Sequence, residues 1–139
     1  MCVSKEVNQK TTEDEKLLSE FKEDFTKVLE YIIDTDFSAE LIKINLSYTL
    51  DDLISKWNKK RYKFKFKQIE NTKNSILYGC SELKNYLSIE YLRLHESSGM
   101  LIFKNDSYEA GEKLREELRP QTVRIRTELK LLLDELYEY

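Results

Sequence analysis

The sequence predicts an α+β domain: an antiparallel sheet of about four to five strands, an N-terminal helix and two C-terminal helices, with a mostly α fold as the alternative. Three observations carry that expectation. Apolar residues recur at helical spacing near both ends of the chain, whereas short stretches between them alternate apolar and polar residues as half-buried strands do. Neither a repeat nor a composition break divides the 139 residues, which suffice to bury a core of their own. Residues 1–10, polar and aperiodic, are expected to be a flexible tail, and 11–139 a single domain.

Thr12 and Glu15 have capping-box spacing, and Leu17, Leu18, Phe21, Phe25, Val28, Leu29 and Ile32 then mark a helix ending near Asp34. Ile42, Ile44, Leu46 and Tyr48 alternate with polar residues and predict a strand, with helix as the competing reading. Thr49 with Asp51 and Asp52 reads as an N-cap, and Leu53, Ile54 and Trp57 give the short helix behind it an apolar side. From Arg61 to Ile69 the alternation is nearly strict, Tyr62, Phe64 and Phe66 against Lys63, Lys65 and Lys67, so a strand is expected. The polar residues 70–74 suggest a turn into a short β-prone run at 75–80. Residues 86–95 and 100–104 flank a Glu-Ser-Ser-Gly turn and predict a hairpin. Asp106 or Ser107 is placed to cap a helix reaching about Leu118. Pro120 is expected to break it, before a last helix carrying Val123, Leu129, Leu132, Leu133, Leu136 and Tyr137.

Composition excludes several chemistries. Gly79, Gly99 and Gly111 stand alone, so no phosphate-cradling glycine loop is present, and no cofactor is expected. Cys2, Cys80 and His95 are too scattered for a zinc site, and no metal is expected. His95 lies beside Glu96, Ser97 and Ser98, but no oriented base or oxyanion hole can be read around it, so no catalytic residue is assigned. Cys80 follows an apolar run and reads as a buried, inert thiol. Without a secretory signal or an apolar run of membrane length, the protein is expected to be cytoplasmic, with no membrane partner.

One segment stands apart. Between Lys56 and Lys67 there are seven basic residues and no acid; without them, 16 basic residues face 26 acids, a charge of −10. On a strand, Lys63, Lys65 and Lys67 would line one face with Arg61, and Lys59 and Lys60 would precede them in a turn. That stripe suits phosphates or an acidic protein surface, and it also suits a solvated strand face that deters edge pairing. Its aromatics alternate with the charges and should point inward, which leaves Trp57 and Tyr62 nearest a rim where bases would stack.

The function expected is therefore a non-catalytic protein-binding module, an inhibitor, immunity-type or accessory regulatory factor, with another protein as its partner. The partner-binding residues are Lys59, Lys60, Arg61, Lys63, Lys65 and Lys67. Nucleic-acid binding through segment 56–67 is the first alternative, weakened by a net charge of −3. Self-association through an apolar face of the C-terminal helix, as a homodimer, is the second.

Overall fold

In the computed structural model, residues 9–104 and 108–139 are described, apart from the side chains of 108–111, 113 and 114. They form α1 (Thr12–Asp34), α2 (Leu46–Trp57), a single 3-10 turn (Lys60–Tyr62), α3 (Lys67–Lys84), a hairpin of β1 (Leu92–His95) and β2 (Met100–Phe103), and α4 (Tyr108–Leu136). The mostly α alternative therefore describes the chain. The expected sheet of four to five strands is replaced, among the described residues, by one two-stranded antiparallel ribbon.

α1 buries Leu18, Phe21, Phe25, Leu29 and Ile32, the stripe that the spacing requires. Its cap lies one residue earlier than expected: Thr11 and Asp14 form the capping box, with Asp14 N–H on Thr11 Oγ1 at 3.0 Å and Thr11 N–H on Asp14 Oδ2 at 3.1 Å.

The strand expected at 42–48 shrinks to Ile42, whose N–H and C=O exchange bonds with Leu101 at 2.8 Å and add one bridge to the hairpin. Leu46, Leu50 and Trp57 are buried at helical spacing, while Ile44 and Tyr48, which carried the alternation, are exposed. The longer apolar period prevails because it alone reaches the core.

The turn at 70–74 and the strand at 75–80 are also overturned: both lie inside α3, which buries Ile69, Ile76, Leu77, Cys80 and Leu83. Local β- and turn-propensity is worth tenths of a kcal/mol per residue and yields to this burial. The hairpin is where the sequence places it, with Gly99 at φ 69°, a conformation only glycine adopts without strain.

Pro120 does not end a helix. α4 runs through it as one element of 29 residues where two were expected. The ring faces solvent, and Leu118, Thr122, Ile125, Leu129 and Leu136 form an unbroken buried stripe across it. The Thr122 hydroxyl bonds Leu118 O at 2.9 Å in the turn that spans the proline, while the carbonyl that loses its N–H donor to the ring is that of Glu116. The expected cap at Asp106 or Ser107 and most of the expected tail lie outside the described residues.

The four helices alternate in direction around one apolar cluster. Lys56 to Asp24 at 2.7 Å pairs α2 with α1, and Lys84 with Asp51 pairs α3 with α2. Arg124 to Glu82 at 2.8 Å ties α4 to α3, and Arg126 to the Ile33 carbonyl at 2.7 Å ties α4 to the end of α1. Gly79 lets α3 and α4 close up, since a Cβ there would stand 2.9 Å from Leu129 Cδ2. Among the described residues, no helix is long and apolar enough to cross a membrane.

Candidate functional site

The basic segment is the loop joining α2 to α3, at the end of the bundle where α1 begins. Trp57 closes α2 with its ring buried, edge-on to Phe21 at 4.8 Å and stacked on Phe64 at 6.2 Å. The chain makes its 3-10 turn and then runs extended through Lys63–Phe66 into α3.

Of the strand expected over Arg61–Ile69, Arg61 and Tyr62 belong to the 3-10 turn and Lys67–Ile69 to α3; only Lys63–Phe66 is extended, with no partner strand among the described residues. Its in–out alternation survives: Phe64 is buried and Phe66 half-buried, while Lys63 and Lys65 face solvent. An extended backbone still needs hydrogen-bond acceptors, and carboxylates supply them. Asp14 Oδ1 accepts from Lys65 N–H at 2.8 Å, Asp14 Oδ2 from Phe66 N–H at 3.0 Å, and Glu70 Oε1 from Phe64 N–H at 2.9 Å. Burial pushes the Asp14 carboxyl upward, but the N–H groups of Lys65, Thr11 and Phe66 outweigh it and hold the group below the ordinary carboxylate range. Asp14 is visible in the sequence as a helix-start acid; its role 51 residues downstream is not.

The charge is less concentrated than the sequence implies, because acids from α1 and α3 gather beneath the loop. Lys56 is clamped by Glu20 and Asp24, both at 2.7 Å, and Asp24 also accepts from the Trp57 indole at 2.8 Å. Hydrogen bonds to Asp24 and Glu20 raise the Lys56 ammonium above its usual range despite partial burial. Lys65 pairs with Glu13 at 2.8 Å, which likewise raises it, and the Arg61 guanidinium lies 5.1 Å from the Tyr62 ring centroid. Lys59, Lys60, Lys63 and Lys67 are exposed and make no ion pair with any described residue. The six expected binding residues therefore lie together in the α2–α3 loop and the first residue of α3, all face solvent, and among the described residues only Lys65 has a carboxylate partner, which leaves five of the six charges unbalanced.

The aromatic rim is corrected. Trp57 is fully buried, and Tyr62 is flanked by Trp57 at 4.9 Å, Lys56 at 5.3 Å and Arg61. No ring in this loop offers an open face on which a base can stack.

Elsewhere, His95 Nδ1 lies 2.7 Å from Ser98 Oγ and 3.3 Å from Ser97 Oγ, within the exposed hairpin turn, and no described carboxylate bonds its ring. Cys80 is buried, which pushes its thiol up to about 12. No group of three or more described His, Cys, Asp or Glu residues is placed to hold a metal ion. In α4, Leu129 and Leu136 are buried, and Leu132 and Leu133 pack against the core, so these leucines cover the chain's own interior. Val123 and Tyr137, expected on the apolar face, are exposed, as is Leu131, at 65%, on the rim of an apolar groove between α3 and α4.

Comparison with known proteins finds no relative: no family model matches the chain, and neither does any curated protein or solved structure.

Proposed function

We propose that this protein is a non-catalytic, intracellular binding module of the inhibitor, immunity or accessory-factor kind, which presents the α2–α3 loop to an acidic surface on another protein. The observation that supports this reading is the set of four exposed lysines, Lys59, Lys60, Lys63 and Lys67, without counter-ions among the described residues, on a loop and the helix start it leads into, the loop backbone being pinned to α1 and α3. A pinned loop loses little conformational freedom on docking, and clustered like charge speeds encounter with an acidic partner. The second reading, contact with nucleic-acid phosphates, uses the same lysines but gains nothing from the buried aromatics.

The test compares wild type with Lys59→Glu/Lys60→Glu/Lys63→Glu/Lys67→Glu in affinity capture from the native cell, with binding to DNA and RNA measured in parallel at low salt. A captured protein with an acidic surface that is lost with the charge-reversed variant supports the proposal. Capture unchanged by the substitutions overturns it. Nucleic-acid binding that weakens steeply with salt, with no protein captured, moves the assignment to the second reading.

A further inference from the structure

At the opposite end of the bundle, where α1 ends and the hairpin meets α4, a crevice of about 400 Å3 is lined by three arginines: Arg93 from β1, and Arg115 and Arg119 one turn apart on α4. Ser38, Ile102 and Phe103 form much of the remaining wall. The hairpin sets Arg93 directly opposite Ile102. Among the described residues its guanidinium makes only a 3.5 Å contact with the Leu94 carbonyl. Arg115 lies 5.3 Å from the Phe103 ring centroid and gives one terminal nitrogen to Glu112 at 3.0 Å. Arg119 donates through Nε to Ser38 Oγ at 3.2 Å, and the Ser38 hydroxyl donates to Asp36 Oδ1 at 2.7 Å. That chain orients the guanidinium while leaving both its terminal nitrogens without a protein acceptor among the described residues.

Three guanidinium groups in one concavity repel one another. Among the described residues, only Glu112 makes an ion pair with any of them, while Asp36 is engaged by the Ser38 hydroxyl and backbone. Glu112 offsets Arg115 and the nearby Asp36 carboxylate offsets part of Arg119, so the excess is about one to two positive charges, whose field a concave, partly apolar wall concentrates. Guanidinium forks match the oxygens of phosphate, and a tetrahedral dianion has enough acceptors for more than one fork, whereas a single carboxylate is satisfied by one. The volume lies in the range of small-molecule sites, and Ile102 with Phe103 gives it an apolar side.

We propose that this crevice binds the phosphate monoester of a small organic molecule, with the phosphate oxygens on Arg93, Arg115 and Arg119 and the organic body against Ile102 and Phe103. The site is separate from the lysine loop and does not depend on the function proposed for it.

Phenyl phosphate and inorganic phosphate serve as probes, each titrated calorimetrically at constant ionic strength against a chloride control. One phenyl phosphate is expected to bind per chain, at least about tenfold more tightly than inorganic phosphate. Arg93→Gln and Arg115→Gln, both at partly or fully exposed positions, should each weaken it by about tenfold or more while leaving the ligand-free melting temperature unchanged. The four-lysine variant should bind as wild type does. No saturable binding by about 10 mM overturns the proposal, as does binding that survives both arginine substitutions or is lost with the lysines. Equal affinity for inorganic phosphate and phenyl phosphate overturns the assignment to an ester.

Discussion

Removing the Asp14 carboxylate tests how the basic loop is held. Its two oxygens accept three backbone N–H groups, from Thr11, Lys65 and Phe66, at 2.8–3.1 Å, and the residue is fully buried. A hydrogen bond to a charged acceptor contributes about 1.5–3 kcal/mol, but three are not additive, and water can replace the acceptor for Thr11 at the helix start. The lasting cost of Asp14→Ala is the pair of donors at Lys65 and Phe66 plus part of the cap, about 3 kcal/mol from a total near 5–15 kcal/mol. In a chain of this size that lowers Tm by about 10 °C. Asp14→Asn should be nearly as damaging, because its amide turns a donor toward backbone donors.

The pH dependence is a second readout. The folded carboxyl titrates below its unfolded value, so its contribution is fully present above about pH 4 and is lost as pH falls through the depressed folded value. The gap in Tm between wild type and Asp14→Ala should therefore be constant from about pH 5 to 7 and narrow below about pH 4. Hydrogen exchange adds location: the amides of Lys65 and Phe66 should lose protection before those of α3. A variant melting within about 3 °C of wild type, or a gap of equal size at about pH 3 and pH 7, would refute the reasoning.

Three further outcomes are expected. Lys73, 2% exposed, pairs with the half-buried Glu70 at 2.9 Å and donates to the Tyr62 carbonyl at 3.2 Å; Lys73→Met alone should cost about 2–3 kcal/mol in urea denaturation by removing the counter-ion of a partly buried carboxylate that keeps the Phe64 N–H. Lys73→Met/Glu70→Gln should recover at least half of that, and a single variant as stable as wild type would show that the pair contributes nothing. Pro120→Ala should raise stability by about 1–2 kcal/mol, since it restores an α4 backbone donor at an exposed position; a lower Tm by circular dichroism would mean that the helix needs its proline. In a Cys2→Ser background, burial should leave Cys80 unreactive toward Ellman's reagent at about pH 8 until the chain unfolds, and fast labelling of the native protein would contradict its burial.

The two long helical stripes and the hairpin were legible because their information is local. Leu18 to Ile32 and Leu129 to Leu136 repeat at helical spacing, although Val123 and Tyr137, expected on the second stripe, are exposed and the buried Ile125 falls outside the expected set; among the described residues Gly99 marks the turn with a positive φ. The middle of the chain misled for an equally physical reason. Lys63 to Phe66 does alternate in and out, yet alternation reports only that a backbone is extended, and an extended backbone can be satisfied by carboxylates as well as by a strand. Residues 70–80 have strand and turn propensity, but apolar positions from Ile69 to Leu83 also fit a helix, and burial against α4 outweighs propensity. Pro120 stops a helix only where nothing else holds it, and here the core stripe continues on both sides.

The sequence by itself determined the helical ends, the ribbon, the inertness expected of Cys80 and a segment dense in positive charge, whose alternation predicts a strand and not a loop. Tertiary structure alone decided which of those charges are free, because Glu13, Glu20 and Asp24 reach Lys65 and Lys56 from a helix more than thirty residues away. It also decided that Arg93, Arg115 and Arg119 share one crevice. Such juxtapositions depend on how distant elements pack; of these, only the four-residue spacing of Arg115 and Arg119 along α4 is local.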